Sequence, residues 1–270
     1  MRRPARRLPT GLPLRAIAPN ALTALALCSG LTGVRFAIAQ DWHSAVVMIL
    51  VASALDGVDG QVARMLRGTS RFGAELDSLS DAISFGVAPA LILYLWSLTN
   101  APRFGWICAL LFAVFCAMRL ARFNAQIDAT EQPRKMAGFM TGVPAPAGAI
   151  GAMLPLYLWF IADDGLLPAE WKPWLREWWL VAPWMAFIAV LMISSIATFS
   201  WASLRLRRNI RFEALAVIVA IGVLLISAMW PTLVGICVIY LALIPFSARS
   251  YARIRRQRAN MSAAKAPAGR

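Results

Sequence analysis

One histidine, His43, serves a chain of 270 residues. That scarcity excludes a zinc site or an activated nucleophile built on histidine pairs. The four cysteines, Cys28, Cys108, Cys116 and Cys237, all lie in apolar segments, and none has a CxxC partner. They read as buried thiols, so neither a disulfide framework nor a thiolate metal site is expected. Charge is sparse as well, at 15% of residues against roughly 25% in soluble domains. Acids are the rarest charges, 13 against 27 Lys and Arg, which leaves a formal charge of +14.

What fills the space is apolar: 60% of residues are hydrophobic and the mean hydropathy is +0.64. Apolar runs near 20 residues are long enough to cross a bilayer. The expected fold class is therefore all-α, a polytopic membrane helix bundle of about eight spans with both termini cytoplasmic. The spans are expected at Ala18–Ala39, Ser44–Leu66, Gly73–Leu98, Phe104–Phe123, Gly138–Ile161, Leu180–Trp201, Ala214–Met229 and Thr232–Phe246. A tight turn is expected at Trp230-Pro231, and a helix break at Pro144 and Pro146 inside the fifth span. Ala162–Trp179 mixes Asp163, Asp164, Glu170 and Glu177 with tryptophans and reads as an interfacial belt. The sole histidine, between spans 1 and 2, is expected at a membrane interface. Ala37-Ile38-Ala39 looks like a signal-peptide cleavage site, but the run from Ala16 to Ala39 exceeds the ~7–15 residues of a signal core. It reads as a span.

Alternating the spans puts 23 of the 27 Lys and Arg on one side, leaving Arg35, Arg103, Lys172 and Arg176 on the other. The rich side is then cytoplasmic, and a bacterial-type inner (plasma) membrane is the expected location. The chain divides into a basic arm (1–17), a helix bundle (18–200), two further spans (201–248) and a basic tail (249–270), unstructured after Asn260. The basic arm, loop and tail suit orientation and anionic headgroups rather than nucleic acid.

Inside two of these apolar runs sit four aspartates, Asp56, Asp59, Asp77 and Asp81. An ionised Asp near a bilayer centre costs roughly 2.5–3.5 kcal/mol on insertion scales. Asp56 and Asp59 are three apart, Asp77 and Asp81 four apart, so each pair shares a helix face. Measured from the inner ends of their spans, the four lie roughly 6–15 Å deep. A short hairpin makes the two helices antiparallel neighbours, which lets the pairs face each other. Four carboxylates without His or Cys form an all-oxygen set suited to Mg²⁺, Mn²⁺ or Ca²⁺. Gly60, Ala63 and Gly73 leave room beside that face for a phosphorylated group. Arg64 offers a cation and Ser70 a donor near its mouth.

Asp56-x-x-Asp59-Gly60-x-x-Ala63-Arg64, then Gly73-x-x-x-Asp77-x-x-x-Asp81, matches every position of the signature of the CDP-alcohol phosphotransferases (class I phosphatidyltransferases). Phe72–Leu79, Ser84–Ala90, Arg119–Asn124 and Gly142–Ala147 resemble the phosphatidylserine synthase branch of that family. The resemblance covers about residues 18–150. At the first span Pro19, Asn20 and Thr23 fit the family pattern, while Ala26 stands where an Asn is common.

The resemblance implies attack of the serine hydroxyl on CDP-diacylglycerol, giving phosphatidylserine and CMP. It implies two divalent ions, Mg²⁺ or Mn²⁺. Asp56 and Asp77 would be shared by both, Asp59 would complete one and Asp81 the other. Asp81 would also be the general base. Asn20, Gly60, Arg64 and Ser70 match positions that hold the CDP moiety, with Thr23, Ala63 and Gly73 beside them. The family likeness also implies a homodimer. A serine carboxylate asks for arginine, and Arg119, Arg122 and Asn124 lie at the level of the site. The same stretch would equally serve glycerol 3-phosphate, an inositol phosphate or choline as acceptor. A cation transporter would need acids at several depths, whereas these cluster at one.

Overall fold

The computed structural model describes residues 14–66, 70–101, 103–127, 139–194, 197–199 and 211–265. They form a helical bundle with one small antiparallel pairing. Helices α1 (Leu14–Ile38) and α2 (Trp42–Met65) make the first hairpin. Its turn follows from local chemistry. Gln40 takes φ +61°, its N–H bonds Ala37 O at 3.0 Å and the Asp41 N–H bonds Phe36 O at 3.0 Å. That left-handed residue satisfies the last carbonyls of α1, and the Asp41 carboxylate then accepts from Ser44 N to cap α2. The cap holds the Asp41 carboxyl below its ordinary pKa.

The third span is a continuous run from Arg71 to Trp96. It comprises α3 (Arg71–Asp81), a wider π-type turn (Ala82–Val87) and α4 (Ala88–Trp96). A single helical turn (Leu98–Asn100) leads to α5 (Phe104–Ile127). After β1 (Phe139–Thr141) come α6 (Ala145–Ala152) and α7 (Leu154–Asp163), then the short α8 (Trp171–Leu175) and α9 (Trp178–Ile193). β2 (Ala197–Phe199) pairs antiparallel with β1, Met140 opposite Thr198. Helices α10 (Arg211–Ser227) and α11 (Met229–Lys265) close the chain.

Five helices among the described residues are long and apolar enough to cross a membrane, and six if the bent α6–α7 pair counts as one. The other two expected spans are shorter. Helix α9 has 16 residues, about 24 Å of rise against a ~30 Å hydrocarbon core. It ends at Ile193 and the chain turns into β2, so the expected run to Trp201 does not form. Helix α10 has 17 residues.

Prolines account for the remaining differences. Pro144 precedes the first residue of α6 and Pro146 sits in its first turn, where a missing N–H costs nothing. The break comes instead at Met153, before Pro155, with a bend of 41°. Likewise Trp230-Pro231 is not a turn but the first turn of α11, and the chain bends at Ala228. Helix α11 also continues to Lys265, past the point where the tail was expected to lose structure; its Ala, Arg and Gln content favours helix.

The core is built from apolar side chains of α2, the π turn, α4, α5, α6, α7 and α9. Close approaches need small residues. A Cβ on Gly30 of α1 would stand 2.6 Å from Ser84 Oγ in the π turn. Polar anchors collect at one end of the bundle. Arg176 Nε donates to Trp96 O at 2.8 Å, Lys172 pairs with Asp163, and His43 stacks on Phe160 with ring centroids 3.9 Å apart. Trp171, Trp174 and Trp179 are exposed there, as a membrane-interface belt requires. All four cysteines are free, but only Cys116 and Cys237 are buried as expected; Cys108 is half-buried and Cys28 exposed.

Candidate active site

The site lies toward the opposite end, where α2 finishes and α3 begins. Helix α3 starts because Ser70 is extended (φ −127°, ψ 154°) and its hydroxyl accepts the Gly73 N–H at 3.0 Å. From that start, Asp77 and Asp81 come one turn apart on α3, facing Asp56 and Asp59 on α2. Oxygens of Asp56, Asp59 and Asp77 all lie within 4.8 Å of one another. Asp81 lies beside this group, where it interacts with Asp56 and Asp77. The spacing argument thus places all four acids together, three of them in the tightest set.

Electrostatics decides what such a set is for. Two unit charges at this separation repel by about 3–4 kcal/mol at an effective dielectric of 20. Three mutually close carboxylates therefore ask for compensating positive charge, and the described protein offers one nearby cation, the half-buried Arg119, which interacts with Asp81 and Asp56. An all-carboxylate oxygen donor set within 4.8 Å fits a hard divalent cation.

A polar scaffold holds the acids from α1. The Thr23 hydroxyl is 2.6 Å from Asp59 Oδ2 and 3.1 Å from Pro19 O. With one proton to give, the short charge-assisted contact to the carboxylate is the stronger. Thr23 and Asp59 are buried, at 5% and 4% exposure. Thr23 O in turn accepts from Ser80 Oγ at 3.2 Å, and Ala26 O accepts from Ser84 Oγ at 3.3 Å. Ser80 and Ser84, four apart, therefore tie the Asp81 segment to the helix that positions Asp59. Sequence reasoning missed both serines; their i, i+4 spacing on either side of Asp81 is the signal that marks them. The π turn begins immediately after Asp81, and such turns often occur beside functional residues.

Beside the acids, a second cluster gathers residues singled out from sequence. A Cβ on Gly73 would stand 2.7 Å from Asn20 Oδ1 and 3.1 Å from Ser70 Oγ. Gly73 is thus small because the Asn20 amide occupies that space. Gly60 has the opposite surroundings, with nothing within 4 Å of a Cβ built there, so its smallness leaves an open approach past Asp59. Ala63 is half-buried one turn further along α2, and Arg64 is exposed beside it.

The three residues expected near a carboxylate acceptor separate. Arg119 alone meets the aspartates, and its Nε is buried without a hydrogen-bond partner. Arg122 donates from its guanidinium to Ile193 O at 3.2 Å, capping the end of α9. Asn124 Nδ2 donates to Ser78 Oγ at 2.8 Å, next to Asp77.

Comparison with known proteins identifies the family. The profile of the family described as CDP-alcohol phosphatidyltransferase matches residues 16–182. A protein of Mycobacterium tuberculosis (strain ATCC 25618 / H37Rv) named CDP-diacylglycerol--serine O-phosphatidyltransferase is 37% identical over 234 residues, 87% of this chain and 79% of that protein. A protein of the same name from Helicobacter pylori (strain ATCC 700392 / 26695) is 39% identical over 140 residues, 52% and 57% of the two chains. One from Methanocaldococcus jannaschii is 43% identical over 103 residues, 38% and 45%.

Proposed function

The chain belongs to the CDP-alcohol phosphatidyltransferase family, and from that premise we propose that it transfers the phosphatidyl group of CDP-diacylglycerol to L-serine. It is an integral membrane enzyme of phospholipid synthesis. The observation that carries the reading is the convergence of Asp56, Asp59 and Asp77 within 4.8 Å, with Asp81 beside Asp56, on the family's signature positions. The choice of serine rests on the relatives' names.

Asp56 and Asp77 would be shared between two divalent ions, Mg²⁺ or Mn²⁺, with Asp59 completing one set and Asp81 the other. Bound there, the ions would supply positive charge against the pyrophosphate and acidify the attacking alcohol. The chain's own residues do the rest. Asn20, Ser70 and Gly73 form a polar cradle for the cytidine diphosphate, and the open side of Gly60 admits its backbone-close approach. Arg64 meets phosphate oxygens at the exposed mouth. Asp81 takes the proton from the serine hydroxyl. The serine oxygen bonds to the β-phosphorus, the bond from that phosphorus to the CMP oxygen breaks, and CMP leaves. Thr23, Ser80 and Ser84 keep Asp59 and Asp81 at fixed separation while charge moves, which favours preorganisation.

The site faces the cytoplasm of a bacterial-type inner membrane, supported by the basic residues at its end of the bundle, and the enzyme works as a homodimer. Acceptor profiling of the purified protein in detergent tests the function. CMP release from CDP-diacylglycerol should require divalent metal and L-serine. Release with glycerol 3-phosphate and none with serine would refute the serine assignment.

A further inference from the structure

Helix α3 carries Asp77 and Asp81 on one face, and its opposite face is open. Phe72, Glu75 and Leu79, all within about 40° of directly opposite the two acids, are exposed. Packing from behind therefore does not set how far α3 turns about its axis. Two hydrogen bonds on its flanks do. Ser80 Oγ donates to Thr23 O of α1 at 3.2 Å, and Asn124 Nδ2 of α5 donates to Ser78 Oγ at 2.8 Å. At about 100° per residue, Ser78 and Ser80 stand about 80° to either side of the mean direction of Asp77 and Asp81. The acids thus project between two tethers. Ser78 gives its own proton to Ala74 O at 3.0 Å, which leaves its lone pairs to Asn124. The helix that brings Asn124 is itself fixed. Phe112, Cys116 and Leu120, four apart on α5, are buried, and Asn124 continues their stripe by one turn. A Cβ on Gly86 of the π turn would stand 3.1 Å from Cys116 Cβ, and Arg122 ties the same end of α5 to Ile193 O.

Resting on the metal reading above, we propose that Asn124 is a positioning residue: acting through Ser78, it fixes the rotation of α3 and so the separation of Asp77 and Asp81 from Asp56 and Asp59. Side-chain tips lie about 5–6 Å from a helix axis, so a turn of about 20° moves a carboxylate by about 2 Å. Metal–ligand distances tolerate only about 0.2 Å. A small rotation is enough to unmake a donor set whose oxygens lie within 4.8 Å of one another. The Ser80 tether to α1 stays in place when the Asn124 tether is cut, so α3 remains docked but free to turn. Asn124, expected from the sequence beside an acceptor carboxylate, instead holds the acids from the α5 side.

Calorimetric titration of Mn²⁺ into Asn124→Ala, Ser78→Ala and the double variant, with the KM for L-serine measured at saturating metal, tests this. Each single variant should show a metal Kd raised about three- to tenfold, the range of one lost neutral hydrogen bond. The double variant should lie within twofold of the weaker single one, because both substitutions break the same contact. The serine KM should stay within twofold of wild type. A rise confined to the serine KM would make Asn124 an acceptor ligand. A lowered melting temperature with unchanged metal Kd would make it merely structural, and additive effects in the double variant would separate it from Ser78. Each of these outcomes overturns the assignment. Should Asn124→Ala fail to elute as a folded protein, Ser78→Ala, which removes one half-buried hydroxyl, carries the same test. Wild-type protein that binds no Mn²⁺ would refute the metal reading itself. Wild type that binds it beside unaltered Asn124→Ala and Ser78→Ala would refute only this inference.

Discussion

Replacing Thr23 by Val removes one hydroxyl at nearly constant volume, and the structure says what that hydroxyl holds. Its oxygen lies 2.6 Å from Asp59 Oδ2, and both residues are almost fully buried. Hydrogen bonds to charged groups are worth about 1.5–3 kcal/mol, and the loss is felt fully when no water can replace the donor. At 1.4 kcal/mol per tenfold, that is about 10- to 150-fold. Independently, loss of an outer partner of a metal-binding side chain typically costs about 10- to 100-fold in metal affinity. The two ranges agree. The Ser80 hydroxyl bonds the backbone carbonyl of Thr23, not its side chain, so the packing of α1 on α3 survives the substitution. Titration of Mg²⁺ or Mn²⁺ against CMP release, alongside calorimetric metal binding, should therefore show half-saturation moved up about 10- to 100-fold in Thr23→Val. Thr23→Ser, which keeps the donor, should stay near wild type. A half-saturating concentration within twofold of wild type would refute the reasoning. A raised KM for CDP-diacylglycerol with unchanged metal dependence would make Thr23 a substrate ligand instead.

Three further predictions follow from the same geometry. Gly73→Ala places a methyl group 2.7 Å from Asn20 Oδ1, so Asn20 must rotate away and the KM for CDP-diacylglycerol should rise about tenfold; an unchanged KM would remove Asn20 from the cradle. Asp81→Asn keeps a side chain that can bond Asp56 but cannot take a proton, so turnover should fall about 10²- to 10⁴-fold with CDP-diacylglycerol binding retained; near-normal turnover would exclude Asp81 as the base. Arg122→Ala loses the bond to Ile193 O and should lower stability in detergent by about 0.5–1.5 kcal/mol. A large selective rise in serine KM in that variant would show that Arg122 reads the acceptor.

Much of the site was legible because its chemistry is local in sequence. Spacings of three and four put each aspartate pair on one helix face, and a short hairpin forces the faces together. Asn20 and Gly73, or Thr23 and Asp59, are a different matter. They sit on separate helices, and only the packing of α1 against α2 and α3 brings them into contact. Gly73 shows the difference well. Its place in the signature suggested room for substrate, whereas the space of its missing side chain holds the Asn20 amide. Gly60, with the same sequence reasoning, does open onto free space.

Span boundaries divide in the same way. Apolar length alone identified the first four crossing helices, since a run of 20 or more apolar residues has few alternatives. Where prolines fall, sequence admits two outcomes, a break or a helix start, and the local energy of the residue does not choose. Pro146 and Pro231 stand in first helical turns, whereas Pro155 follows a bend. From the sequence by itself came the membrane class, the four-carboxylate centre and the family. Tertiary structure alone decided which donors face those carboxylates, because Thr23 and Arg119 arrive from α1 and α5 and the acids from α2 and α3. No periodicity within one segment encodes such a meeting.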